Sequence, residues 1–181
     1  MQKNRNIILG VSASIAIYKA CDLLRRLRHC GYAVTVVMTA EAEELIRPVV
    51  FQSLSGNKVY RGSLFASSEA WDIEHVSLAN LADMVLVAPA TANILGKVAS
   101  GICDDILSCT ICATKSPVVF APAMNENMYH NKITQANILK LKGYGYKFIA
   151  PRRGELACGE VGVGCLAEPE DIVAQVKKML R

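Results

Sequence analysis

Short apolar runs alternate with helical stretches along most of this chain, and that alternation limits the fold more than any other feature. Ile7-Ile-Leu-Gly-Val11, Ala33-Val-Thr-Val-Val-Met38, Met84-Val-Leu-Val-Ala88 and Pro117-Val-Val-Phe-Ala121 read as buried strands. They are too evenly apolar to have one wet face, so helices must cover both faces of a parallel sheet. Between them, Ile15 to about Cys30 has the spacing of an amphipathic helix that stops before Gly31. A helical stretch starts at Thr39, and Val49 to Ser55 forms a short helix closed by Ser55-Gly-Asn57. Helical segments run on to Ala113, and Leu139 to Ile149 supplies a helix end, a turn at Gly143 and Gly145, and a last short strand. Glu168 to Arg181 closes as a helix with Pro169 near its first position. The expected fold class is α/β: a single Rossmann-like or flavodoxin-like domain, a parallel sheet with helices on both faces. Ser63 to Trp71, rich in small residues and without a period, is the expected mobile loop.

A length of 181 residues suits one domain with a sizeable core. Hydrophobic content of 52% against 20% charge favours buried strands or subunit interfaces. No apolar run reaches the roughly 18 residues of a membrane span, and Met-Gln-Lys-Asn-Arg-Asn lacks the pattern of a signal peptide. A cytoplasmic protein with no membrane partner is expected. The net charge of +4 is mild. Arg25, Arg26 and Arg28 lack interleaved aromatics, so they read as a solvated helix face and no nucleic-acid partner is expected. Arg152 and Arg153 stand before a Gly-rich loop and suit either an anionic ligand or plain solvent. Seven cysteines in such a chain point to reduced thiols. Cys109-Thr-Ile-Cys112 has no second CxxC and sits in an apolar helical run, so these cysteines read as buried small residues. His29, His75 and His130 lack metal-ligand spacing, and no metal is expected.

Chemistry-bearing residues gather just past the strands, where open α/β sheets bind ligands. Gly10-Val-Ser-Ala-Ser-Ile15 joins the first strand to the first helix. Its small residues and hydroxyls suit an anion at a helix N-terminus, and equally an ordinary turn with serine caps. Serine stands where a dinucleotide fingerprint needs glycine, and no GxxxxGK[ST] occurs, so a mononucleotide phosphate fits better than NAD or ATP. Thr39 follows the second strand, and Pro89-Ala-Thr-Ala-Asn-Ile94 offers small residues for a flat ring with a hydroxyl and an amide for its polar edge. After the fourth run, Pro122 fixes the backbone and Asn125 presents an amide able to donate to a carboxylate. His75, in Ile73-Glu-His-Val-Ser-Leu78, has a residue type whose protonation is easily set near neutral pH. Leu156-Ala-Cys-Gly-Glu-Val-Gly-Val-Gly164 reads as a flexible flap with Cys158 at its start.

Ala121-Pro-Ala-Met-Asn-Glu-Asn-Met-Tyr-His-Asn131 resembles the PxMNxxMW motif of the flavin-dependent cysteine decarboxylase family, with Tyr129 in place of tryptophan. Pro89 to Ile94 resembles that family's PASANT motif, with Thr91 for serine and Ile94 for threonine. Leu156 to Gly164 matches ACGxxGxG at every fixed position, and the resemblance runs from about Asn6 to the C-terminus. It implies an FMN cofactor contacted by Ser12, Ser14, Thr39, Thr91, Ala92, Asn93 and Ala123, with Ser53 as a further contact. It implies decarboxylation of a small, phosphorylated cysteine conjugate, with His75 as base, Cys158 as proton donor, and Asn125 with Met124 binding substrate. Family members assemble as trimers or dodecamers that share flavin and substrate between subunits, which implies self-association here. An oxidative decarboxylase of peptidyl cysteine, a non-catalytic regulatory flavoprotein and a flavin prenyltransferase are the competing readings. Cys158 argues against the first; His75, Asn125 and Cys158 together argue against the second; the third leaves Asn125 and Cys158 without a task. The resemblance also allows the chain to be the N-terminal part of a longer bifunctional protein.

Overall fold

The computed structural model describes residues 5–62 and 73–180. Its centre is a sheet of β1 (Asn6–Val11), β2 (Ala33–Met38), β3 (Val59–Arg61), β4 (Met84–Ala90), β5 (Val118–Pro122) and β6 (Lys147–Phe148). The six strands lie in the order β3-β2-β1-β4-β5-β6 and every neighbouring pair is parallel. This is the Rossmann order, as the alternating runs required. β4 and β5 are buried at every position, and β1 at all but its first.

Side chains alternate along each strand and so divide the core in two. Ile7, Leu9 and Val11 of β1 face a cluster that includes Leu23, Leu24 and Leu27 of α1 (Tyr18–His29) and Ile172 and Val176 of α9 (Pro169–Met179). Ile8 faces the opposite cluster, with Leu95 of α5 (Ala92–Ser100), Leu107 of α6 (Ile106–Ala113) and Leu141 of α8 (Lys132–Gly143). Truncating one such leucine to alanine costs about 2–5 kcal/mol, so the two clusters hold the sheet rigid beneath whatever its edge carries. The remaining helices are α2 (Ala40–Leu45), α3 (Pro48–Ser55), α4 (Glu74–Leu81) and α7 (Glu126–His130). Among the described residues, no helix is long and apolar enough to cross a membrane.

Two sequence expectations change. The segment around Cys158 is not a bare flap: β7 (Arg152–Glu155) and β8 (Val161–Cys165) form a separate antiparallel two-stranded sheet, with Cys158 in its turn. Of the CxxC pair on α6, Cys109 is buried but Cys112 reaches the surface, because burial runs unbroken from Ile106 to Ile111 and ends before Cys112. The loop expected over Ser63 to Trp71 falls outside the described residues.

Candidate active site

Strand order reverses at β1, which has β2 on one side and β4 on the other, so a crevice opens past their carboxyl ends. Ser12 closes the floor of that crevice. Its Oγ donates to the Pro89 carbonyl at 2.8 Å and accepts the Thr91 N–H at 3.0 Å, joining the turn after β1 to the turn after β4. The residue is 2% exposed. Expected as a cofactor contact, Ser12 already uses its proton and a lone pair within the protein.

The other strand-end hydroxyls cap helices. Ser14 Oγ accepts the Ala16 N–H at 3.3 Å, opening the 3-10 turn Ile15–Ile17 that leads into α1. Thr39 Oγ1 accepts the Ala42 N–H at 3.3 Å at the start of α2, and Thr91 Oγ1 accepts the Ile94 N–H at 3.4 Å at the start of α5. A cap consumes a lone pair and leaves the hydroxyl proton free to donate. Cap and ligand donor, alternatives in the sequence, are therefore compatible here. With the first-turn N–H groups behind them, these hydroxyls favour an anion.

They line a cavity of about 900 Å³ together with Ala92, Asn93, Ala123, Met124, Asn125 and Cys158. That is at the upper end of small-molecule sites, which run to about 1,000 Å³. Alanines at positions 13, 92 and 123 keep the walls flat. Hydroxyl donors at helix starts and small apolar side chains in one cavity fit a flavin mononucleotide.

Asn125 and Cys158, 33 positions apart, meet at the mouth, with Asn125 Nδ2 3.8 Å from Cys158 Sγ. The amide's orientation follows from its cap: Oδ1 accepts the Asn127 N–H at 2.9 Å at the start of α7, so Nδ2 is the end turned to the thiol. The hairpin that carries Cys158 docks on the same loop, and its glycines permit this. A Cβ on Gly164, whose φ is +152°, would lie 2.1 Å from the Met124 carbonyl oxygen. Without it, Met124 N–H donates to the Gly164 carbonyl at 3.0 Å. Gly162 and Gly164 serve close approach, and Gly159 supplies the positive φ of the turn.

Charged groups sit in ion pairs along the rim. Lys19 Nζ lies 2.9 Å and Arg152 Nε 2.7 Å from the Glu168 carboxylate, and Lys97 Nζ lies 2.8 Å from Asp104 and 3.0 Å from Asp105. Hydrogen bonding from Lys19 holds the Glu168 carboxyl below its usual range, with Arg152 adding to the effect. Asp104 and then Asp105 raise Lys97. Lys19, Lys97, Asp105 and Met128 line the cavity but were given no role in the sequence reading; Arg152 was marked only as one of two options. Lys19 carried a signal: a cation in the first turn of a helix opposes the helix dipole.

Two expected residues lie elsewhere. Ser53 is exposed on α3, beside Arg25, Arg28 and His29. His75 is half-buried in the first turn of α4 and is not among the cavity's lining residues. Within one chain the site therefore unites Ser12, Ser14, Thr39, Thr91, Ala92, Asn93, Ala123, Met124, Asn125 and Cys158.

The flavoprotein family model matches residues 1–181. The chain belongs to that family. This flavoprotein is 47% identical over 178 residues to the coenzyme A biosynthesis bifunctional protein CoaBC of Bacillus subtilis, covering 98% of the chain but 44% of that relative. The chain thus spans less than half the length of that curated relative. It is 44% identical to a probable phosphopantothenoylcysteine decarboxylase of Streptococcus mutans, covering 97% of the chain and 99% of the relative. Among solved structures, a PPC decarboxylase mutant complexed with pantothenoylaminoethenethiol superposes with a TM-score of 0.88 at 29% identity, over 98% of both chains. The FMN-dependent cysteine decarboxylase SpaF superposes with a TM-score of 0.83 at 28% identity, over 98% of this chain and 97% of that one.

Proposed function

We propose that this flavoprotein is an FMN-dependent decarboxylase that converts 4'-phosphopantothenoyl-L-cysteine to 4'-phosphopantetheine in coenzyme A biosynthesis. The observation that carries the reading is the pairing of Asn125 with Cys158 at the mouth of the cavity. The carbon that loses the carboxylate is the carbon that later takes a proton. A group that binds the carboxylate must therefore stand beside a proton donor. Asn125 offers N–H donors to the carboxylate, and the Cys158 thiol lies 3.8 Å from them. Ser14, Thr39 and Thr91 would hold the FMN phosphate, with Ala92, Asn93 and Ala123 along the ring and Met124 against substrate. Bound there, FMN supplies a two-electron acceptor and donor, without which a cysteine carboxylate has no electron sink. Cys158 then protonates the carbon that Asn125 has positioned, and His75 acts as base in the oxidative half.

His75 needs a neighbour to do so. α4 exposes Val76 next to His75 and Leu81 at its far end, and α3 exposes Val49 and Val50 one turn before Ser53. Apolar side chains around each displaced residue fit an assembly, a trimer or a dodecamer, in which one subunit completes its neighbour's site. Seven free thiols fit a cytoplasmic location, and residues 1–181 act as one FMN-binding domain.

Mass spectrometry of the reaction with phosphopantothenoylcysteine tests this. The expected product is lighter by one carbon dioxide and no more. A product lighter by carbon dioxide and two hydrogens would replace the reading with oxidative decarboxylation; a yellow protein that leaves the substrate intact would refute decarboxylation. Cys158→Ser should shift the first product towards the second.

A further inference from the structure

We propose that Glu126 is a positioning residue that sets the register between Asn125 and the hairpin bearing Cys158; the inference rests on the decarboxylase reading. β7 and β8 form their own sheet and share no ladder with the central one, so something else must aim Cys158. Hydrogen bonds on either side of Asn125 do so. Before it, Met124 N–H donates to the Gly164 carbonyl at 3.0 Å. After it, Glu126 Oε1 accepts the Val163 N–H at 2.9 Å. The fit is tight, for a Cβ on Gly162 would lie 2.4 Å from Glu126 Oε2.

The amide of Asn125 is thus clamped between two anchors on one strand, and Glu126 is the side-chain anchor. A second role for this carboxylate is plain helix support. It stands in the first turn of α7, where an acid complements the helix dipole, and its Oε1 lies 4.0 Å from His130 Nε2. Both of those contributions need the charge. The hydrogen bond from Val163 needs only an acceptor oxygen, which a glutamine retains.

Glu126→Ala and Glu126→Gln separate the two. In a single turnover of FMN-loaded protein with phosphopantothenoylcysteine, where an oxidised product leaves its two electrons on the flavin, Glu126→Ala should release carbon dioxide within about twofold of the wild-type rate. Its ratio of fully reduced to oxidised product should fall by roughly tenfold to a hundredfold, since about 1 Å of misplacement costs on that order. Glu126→Gln should restore the wild-type ratio. In substrate-free protein, the Val163 amide should exchange with deuterium faster in Glu126→Ala and at the wild-type rate in Glu126→Gln. An unchanged product ratio in Glu126→Ala would overturn the proposal. So would equal falls in carbon dioxide release and reduced product, or a glutamine variant that behaves like alanine. Wild-type protein that releases no carbon dioxide would refute the decarboxylase reading, and the exchange comparison would still decide whether Glu126 holds the hairpin.

Discussion

Ser12→Ala tests whether the floor of the cavity is a structural staple or a ligand contact. The substitution deletes the 2.8 Å bond to the Pro89 carbonyl and the 3.0 Å bond from the Thr91 N–H. Two intramolecular hydrogen bonds contribute about 2 kcal/mol net. The Pro89 carbonyl keeps a long contact from the Ser12 N–H at 3.4 Å, but the Thr91 N–H loses its partner. Leaving such a donor unpaired costs roughly 1–3 kcal/mol when it is buried and less where a cavity admits water. The total comes to about 3 kcal/mol, or a Tm lower by roughly 6–12 °C for a chain of this size. Urea unfolding of the flavin-free protein, followed by circular dichroism, measures it. Thr91→Ala is the control: it removes only a cap and should cost about 1 kcal/mol. A flavin-free Ser12→Ala protein within about 0.5 kcal/mol of wild type, yet weak in flavin binding, would refute the argument and return Ser12 to the ligand set.

Gly164→Ala should cost roughly 1–3 kcal/mol in urea unfolding, because its Cβ would enter the space of the Met124 carbonyl oxygen; it should also speed deuterium exchange at the Met124 amide. Glu168 has its carboxyl held below the usual 4.5 by Lys19 and Arg152, so its stabilisation is present above that pH and is lost as pH falls through the lowered value. The gap in Tm between wild type and Glu168→Gln should therefore be open at neutral pH and close on acidification. Cys112 reaches the surface, but partial desolvation of its thiol, with Cys103 alongside, pushes it up to about 12; iodoacetamide at pH about 8 should label it more slowly than an unperturbed thiol, as peptide mapping will record.

Legibility along the sequence tracks how local the cause is. β1, β2, β4 and β5 were readable because burial on both faces imprints a continuous apolar run. β3, only Val59–Arg61, is too short and too mixed to carry such a pattern. β7 and β8 lack the apolar run of a buried strand: Arg152-Arg-Gly-Glu155 is polar, Val161-Gly-Val-Gly-Cys165 alternates with glycine, and the hairpin is fixed by docking on Met124 and Glu126. In the site, the strand-end positions were readable from topology, since ligands collect there. Ser12 lines the cavity as expected, but its bonds to Pro89 and Thr91 were not readable, because a hydroxyl can staple two turns or bind a ligand and the sequence is the same for both. Lys19 and Lys97 were missed because their place in the cavity depends on which helices flank the crevice.

Asn125 shows why the site needs the residue types it has. The position caps α7, which requires an acceptor, and on the proposed reading it also faces a carboxylate, which requires a donor. Aspartate would cap equally well but would repel the carboxylate. Serine would cap with its oxygen, and its proton would lie too close to the backbone to reach the space beside Cys158. Asparagine divides the two tasks between two atoms: Oδ1 takes the Asn127 N–H at 2.9 Å, and Nδ2 is left aimed at the thiol. Ser14, Thr39 and Thr91 divide their tasks in the same way between lone pair and proton. The cavity's donors are thus oriented by the interactions that start its helices. Folding has already met the entropic cost of ordering them, and binding need not meet it again.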